Sequence, residues 1–147
     1  MALTPRRLLA PTLALCALAL VAASAPPAQD DALSLHDLMM SIKRDFKTLS
    51  RSVDDPAQAD KALDALHSMQ GYTLASKLLE PTNLDEVARD ERAAHKAAYR
   101  ADVARMLAAL AECEIAVLEG ESARAKELFG TLIDLRNASH EAYQGDE

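Results

Sequence analysis

Cysteine is scarce in this chain, and its scarcity limits how the fold can be stabilised. Only two cysteines occur among the 147 residues, and Cys16 lies in an N-terminal stretch that we expect to be removed. Cys113 is then left without a partner, so no internal disulfide can form. The stability of the folded chain must therefore come from packing or from a bound cofactor.

Several other features are also missing. The chain has no tryptophan and only four glycines, while alanine, leucine, glutamate and lysine are abundant, which favours helices. Basic charge is in deficit, because 16 Lys and Arg residues face 23 Asp and Glu residues, so nucleic acid is not an expected partner. No nucleophile, base and orienting acid are visible on one face, and we predict that the protein is not an enzyme.

The N-terminus has the form of a secretory signal peptide. Arg6 and Arg7 precede an apolar run from Leu8 to Ala23, which ends in small residues followed by prolines. We predict a signal peptide at residues 1–25, a flexible leader at 26–33 and a folded domain at 34–144. The run is short for a membrane span, so we expect a periplasmic protein with no stable membrane anchor after cleavage.

The first predicted helix has a well-defined start and a clear apolar face. Ser34 can cap its N-terminus, with Asp37 in the first turn. Apolar residues then recur in alternating steps of four and three, the spacing of a helix face turned into a bundle. This stripe places Met39 inward and Met40 on its flank. Its members are Leu35, Met39, Ile42, Phe46, Leu49 and Val53.

Three further helices follow. Asp55 can cap a second helix, which is expected to reach about Glu80. The third is predicted to start near Asp85 and to close at Gly120, and Ser122 can cap the fourth. Short loops between successive helices force antiparallel neighbours. The sequence therefore predicts an all-α domain, an up-down-up-down antiparallel four-helix bundle.

This topology brings the start of the first helix close to the end of the fourth. Met39 lies on the inward stripe of the first, and His140 continues the Phe129 and Leu132 side of the fourth by steps of about one turn. An imidazole facing a thioether is one way in which proteins hold a haem iron. A covalent c-type haem would need Cys-x-x-Cys-His, and a di-iron bundle would need repeated Glu-x-x-His pairs. Neither motif is present.

Across nearly the whole predicted domain, the residues resemble the soluble cytochrome b562 family. The matching segments are Met39 and His140, Asp64-Ala65-Leu66 with Met69, Tyr99-Arg100, Glu119-Gly120 and Arg136-Asn137-Ala138. The resemblance implies a periplasmic four-helix bundle that binds one non-covalent haem b per chain and carries single electrons. Met39 and His140 would be the axial ligands, with Arg136 close to a haem edge. The implied pocket lining is Ile42, Phe46, Met69, Pro81, Tyr99, Val103 and Met106.

A second interpretation is compatible with the same sequence. A helical bundle can lose its cofactor and keep its fold, so the alternative is a haem-free periplasmic protein that binds a metal ion or another protein. In the haem interpretation the partners are redox proteins, which the sequence does not identify. The acidic surface would help to steer the protein toward basic patches on them.

Overall fold

The computed structural model describes residues 34–145, and the predicted signal peptide and leader lie outside this range. The described residues form four α-helices and no strand, which confirms the predicted fold class. These helices are α1 (Leu35–Leu49), α2 (Ala59–Ser76), α3 (Arg92–Leu118) and α4 (Ser122–Tyr143). Short 3₁₀ turns, Pro56–Gln58 and Leu84–Glu86, lie in the α1–α2 and α2–α3 connections. Within residues 34–145, no helix has the length and apolar character needed to cross a membrane.

The predicted start of α1 is confirmed. The Asp37 backbone N–H donates to Ser34 Oγ at 3.1 Å, and the Ser34 backbone N–H donates to Asp37 Oδ2 at 3.2 Å. This reciprocal capping box satisfies donors that a helix N-terminus leaves without partners. The bonds from Ser34 also hold the pKa of Asp37 below its ordinary value.

The turn between α3 and α4 is made by Gly120, as the sequence predicted. Gly120 has φ 73°, the left-handed conformation that side chains disfavour. The Glu121 N–H donates to the Ala116 carbonyl at 2.8 Å, and the Gly120 N–H donates to the Val117 carbonyl at 3.1 Å. This pair of bonds is the Schellman arrangement. The turn leads directly into α4, so Glu121 occupies the N-cap position and the predicted cap by Ser122 is wrong.

Two predicted boundaries in the middle of the chain are also wrong. α2 ends at Ser76 rather than near Glu80, and α3 begins at Arg92 rather than near Asp85. Side-chain hydrogen bonds to backbone carbonyls hold the intervening segment in another conformation. The Tyr99 hydroxyl donates to the Ser76 carbonyl at 2.9 Å, and Arg92 Nε donates to the Val87 carbonyl at 3.0 Å.

Successive helices pack side by side, α1 along α2, α2 along α3 and α3 along α4, whereas α1 and α4 approach each other closely at few points. The main core lies among all four helices. Its buried members are Phe46, Leu49, Val53, Ala62, Ala65, Leu66, Met69, Ala109, Leu110, Cys113, Ala116, Ala125, Leu128 and Leu132. Burial raises the pKa of the Cys113 thiol to about 11, so this cysteine is an inert core residue.

Candidate functional site

A groove runs between α1 and α4, two helices that approach each other closely at few points. It encloses about 240 Å³. Its floor and walls combine apolar rings and aliphatic carbon with basic side chains. The lining residues are Lys43, Phe46, Lys47 and Ser50 of α1 or its C-cap, and Phe129, Ile133 and Arg136 of α4.

The contacts of Phe46 show how the two helices are aligned across the groove. Its ring lies 5.9 Å from the Phe129 ring, centroid to centroid, and the Arg136 guanidinium carbon lies 5.3 Å from the Phe46 ring centroid. Beyond the C-terminus of α1, Asp54 Oδ2 accepts a hydrogen bond from Lys126 Nζ at 2.7 Å. The end of α1 is therefore level with the start of α4, and the two helices are antiparallel.

The first turns of α1 place Leu38, Met39 and Met40 in three different environments. Leu38 is buried, Met39 is partly buried and Met40 is 51% exposed. At about 100° per residue, Met39 lies about 20° around the helix from Phe46, within the sector that lines the groove. Leu38 lies about 80° from Phe46 on the side of the buried residues. Met39 therefore belongs to the groove face of α1.

His140 occupies the corresponding position on α4. It lies about 20° around the helix from Phe129 and about 40° from Arg136, between these groove residues and Ile133. Its side chain is exposed, and within residues 34–145 it has no hydrogen-bond partner in the structure. The imidazole is therefore free to bind a ligand at the groove face.

Met39 and His140 are also level along the bundle. Phe46 contacts both Phe129 and Arg136, so it is level with the midpoint between them. At a rise of 1.5 Å per residue, Met39 lies about 10 Å from this level along α1, and His140 about 11 Å along α4 in the same direction. Neither residue lines the groove itself, but the register places both on the groove side at the same end of the bundle.

Three basic side chains give the groove a positive rim. Lys43 and Lys47 are one turn apart on α1, and Arg136 faces them from α4. None of the three forms an ion pair with another residue in the described part of the chain. Arg136 donates to the neutral Asn137 Oδ1, at 3.2 Å from Nε and 2.8 Å from Nη2. The positive charge of all three side chains is therefore not neutralised by a carboxylate of residues 34–145.

The other predicted lining residues are divided among four environments. Phe46 and Arg136 line the groove, and Ile42 and Met106 pack partly buried against the main core. Met69 is fully buried within that core. Pro81 is buried in the α2–α3 connection, and Tyr99 and Val103 form a second buried cluster with Tyr143.

This second cluster closes the end of the bundle that carries His140. The Tyr143 ring lies edge-on to the rings of Tyr99 and His95, each at 5.2 Å between centroids. The Tyr143 hydroxyl donates to Asp102 Oδ2 at 2.6 Å. Burial, together with this bond to a carboxylate, raises the pKa of Tyr143 to about 12.

Five groove residues were not predicted from the sequence as site residues, and one of them, Ser50, lies at the C-cap of α1. Phe129 and Ile133 lay on the apolar side of α4, and Lys43 and Lys47 flanked the α1 stripe, so each had an ordinary structural explanation. The signal that could have found them is their shared register with Met39 and His140.

A family model described as Cytochrome b562 matches residues 34–144, most of the chain and nearly all of the described structure. No curated protein matches the chain. The matched range begins at the Ser34 cap and ends just after α4. The match therefore covers the whole helical bundle.

Proposed function

The chain belongs to the cytochrome b562 family, and we propose that it binds one non-covalent haem b per chain through Met39 and His140. Membership places the protein among haem-binding, electron-carrying cytochromes, a family of carriers rather than enzymes. We also propose that this chain carries single electrons in the periplasm.

The observation that supports the ligand pair is the shared face and level of the two side chains. Met39 lies on the groove face of α1 and His140 on that of α4, at the same end of the bundle. A neutral imidazole nitrogen and a thioether sulfur are donors that haem iron accepts. Leu38 and Met40, the neighbours of Met39, face the core and the solvent.

The groove residues fit the two chemical parts of the same molecule. Phe46, Phe129 and Ile133 offer apolar surface to a flat macrocycle. Lys43 and Arg136, on opposite walls, offer positive charge to its two carboxylates, which favours an orientation with the carboxylates toward water.

The chemistry that a bound haem supplies is reversible one-electron exchange at iron. Methionine in place of a second histidine favours the reduced iron and raises the potential. If Met39 and His140 both bound the iron, the protein would leave no open position at the metal for a substrate. These residues therefore suit an electron carrier.

The same family supports a location and a class of partner. Members are typically periplasmic, and the N-terminal residues 1–25 have the sequence pattern of a secretory signal. Removing Arg6 and Arg7 with that segment would lower the formal net charge of −7 by a further two. The partners that we propose are redox proteins with a basic docking surface.

The experiment that tests this function is a titration of the purified protein with haemin, followed by absorption spectra before and after dithionite. We expect sharp bands in the reduced form that saturate at one haem per chain. Broad absorption that never saturates would overturn the proposal and favour a haem-free bundle. For that alternative, residues 34–145 contain no group of three or more His, Cys, Asp or Glu side chains arranged to hold a metal ion.

The histidine ligand has a matched control within the chain. His140→Ala should abolish the low-spin six-coordinate spectrum. His67→Ala changes another exposed histidine on a helix and should leave the spectrum unchanged. Equal spectra from the two variants would rule out His140 as the axial ligand.

A further inference from the structure

Side chains of the α2–α3 connection hold the C-terminus of α4. Thr82 Oγ1 donates to the Tyr143 carbonyl at 3.0 Å, and Asn83 Nδ2 donates to the Ala142 carbonyl at 2.9 Å. The last carbonyls of a helix have no partner within the helix. These two bonds therefore cap α4 from a distant part of the chain.

His95 of α3 fixes the capping residue in turn. His95 Nε2 lies 2.8 Å from Asn83 Oδ1. An amide oxygen can only accept, so the ring N–H donates this bond and leaves the Asn83 amide nitrogen for the Ala142 carbonyl. The His95 ring also packs edge-on to Tyr143. We call Thr82, Asn83 and His95 the loop latch.

The latch acts on the turn that carries His140. The Gln144 N–H donates to the His140 carbonyl at 3.1 Å, so His140 belongs to the same last turn as Ala142 and Tyr143. Its exposed side chain has no hydrogen bond of its own within residues 34–145. The position from which the imidazole extends therefore depends on the backbone of this turn, and the latch caps that backbone at Ala142 and Tyr143.

From these contacts we infer that the loop latch is a positioning device for His140. Thr82, Asn83 and His95 do not line the groove, and within residues 34–145 they form no hydrogen bond with the imidazole. They act through the last turn of α4. If the last turn of α4 is already ordered before haem binds, the binding step does not lose that conformational entropy. An ordered turn would also slow dissociation of His140 from the iron. The inference rests on the proposed haem ligation by His140.

The test compares the rate of haem loss in two variants that each remove one hydrogen bond between distant parts of the chain. Asn83→Ala breaks the latch. Gln70→Ala breaks the bond between Gln70 Nε2 and Glu114 Oε2, 2.6 Å long, which joins α2 to α3 and leaves α4 untouched. We expect haem transfer to a scavenger protein to be about three- to tenfold faster for Asn83→Ala than for wild type. Gln70→Ala should change it less than twofold.

A conservative rescue separates positioning from simple packing. His95→Phe keeps an aromatic edge against Tyr143 but cannot donate to Asn83, so it should behave like Asn83→Ala. His95→Gln can still donate and should restore slow haem loss. Both weakened variants should also show more high-spin ferric haem, the spectroscopic sign of a loosened axial histidine.

Amide hydrogen exchange at Gln144, measured without haem, tests whether the loop latch stabilises the last turn of α4 independently of haem binding. Faster exchange in Asn83→Ala than in Gln70→Ala is expected. If haem loss is equally fast in these two variants, the inference is overturned while the proposed function stands. If wild-type protein does not bind haem saturably, the proposed function is wrong, and the positioning role that rests on it is wrong too. The exchange rates would still show whether the loop latch stabilises the last turn of α4.

Discussion

At the scale of single residues, three consecutive positions at the start of α1 lie in three different environments, because each residue is rotated by about 100° from the one before it. Leu38 is 2% exposed and fills the interior, Met40 is 51% exposed and meets water, and Met39 lies between them on the groove side. The two methionines have the same chemistry. Their positions alone distinguish a candidate ligand from a surface residue.

This difference predicts unequal effects of identical substitutions. Met39→Ala should convert the reduced protein from a six-coordinate low-spin to a five-coordinate spectrum, because the thioether is lost from the groove face. Met40→Ala should leave the spectrum and the haem affinity within twofold of wild type. Absorption spectra of the two variants with dithionite provide the check, and an effect confined to Met40→Ala would contradict the register described here.

Tyr143 predicts a pH dependence on the alkaline side. Its pKa of about 12 in the folded protein lies above the ordinary value of 10, so the folded state holds the phenolic proton more tightly than the unfolded state. The contribution of Tyr143 to stability is complete below pH 10 and is lost as the pH rises from 10 to 12. Urea unfolding across this range should show a steeper loss for wild type than for Tyr143→Phe. Parallel losses in the two proteins would contradict the assignment.

At the scale of helices and turns, two glycines with equally open surroundings should respond in opposite directions. A Cβ added at either Gly120 or Gly71 would meet no atom within 4 Å. Gly120 has φ 73° at the end of α3, whereas Gly71 lies within α2 with ordinary helical backbone. Backbone conformation is therefore what distinguishes them.

Gly120→Ala should lower the free energy of unfolding by about 1 kcal/mol, because alanine disfavours the left-handed conformation. Gly71→Ala should raise it by about 0.5–1 kcal/mol, because alanine loses less entropy in a helix. Urea denaturation of both variants at neutral pH measures the difference. A destabilised Gly71→Ala would show that close packing, rather than backbone freedom, selects glycine there.

Helix ends that are fixed by residues within one turn of chain were predictable. Helix ends that are fixed by side chains bonding to carbonyls more than one turn away were not. Ser34 with Asp37, and Gly120, act within one turn of chain, so the sequence is enough to place them. The end of α2 depends on the Tyr99 hydroxyl, 23 residues away. The segment before α3 is held in part by Arg92, which donates to backbone carbonyls five and seven residues earlier, outside any helical repeat. No local pattern reveals such partners.

The candidate site was also predictable only in part. Periodicity and topology alone place Met39 and His140 toward each other, because both depend on helix phase and on the order of helices. The groove positions of Lys43 and Lys47 were not visible, since each is a common solvated residue until α4 is placed opposite. The side chains that Tyr143 contacts also come from elements distant in sequence.

At the scale of the whole molecule, the Asp54–Lys126 pair ties the end of α1 to the start of α4 at the far end of the groove. The hydrogen bond from Lys126 holds the pKa of Asp54 below its ordinary value of 3.8. The folded state therefore favours the ionised carboxylate. The resulting stability is present above about pH 4 and is lost as the pH falls through the lowered pKa.

Removing the partner should flatten this acid dependence. Lys126→Met should lose less stability than wild type between about pH 5 and pH 2, with a small effect because both side chains are exposed to solvent. The measurement is urea unfolding at several acid pH values. Lys43→Met serves as the control and should match wild type, because this exposed lysine forms no ion pair within residues 34–145.

The sparse protein contact between α1 and α4 also has a consequence for how the chain folds. The interfaces that do pack, α1 with α2, α2 with α3 and α3 with α4, all join neighbours in sequence. The interface that would require the two ends of the domain to meet, between α1 and α4, is not one of them. Chains dominated by local contacts fold quickly, since little loop-closure entropy precedes the first stabilising contacts. We therefore expect the polypeptide to fold rapidly by itself. A ligand that binds between α1 and α4 would join the two ends of the domain only after the helices have formed.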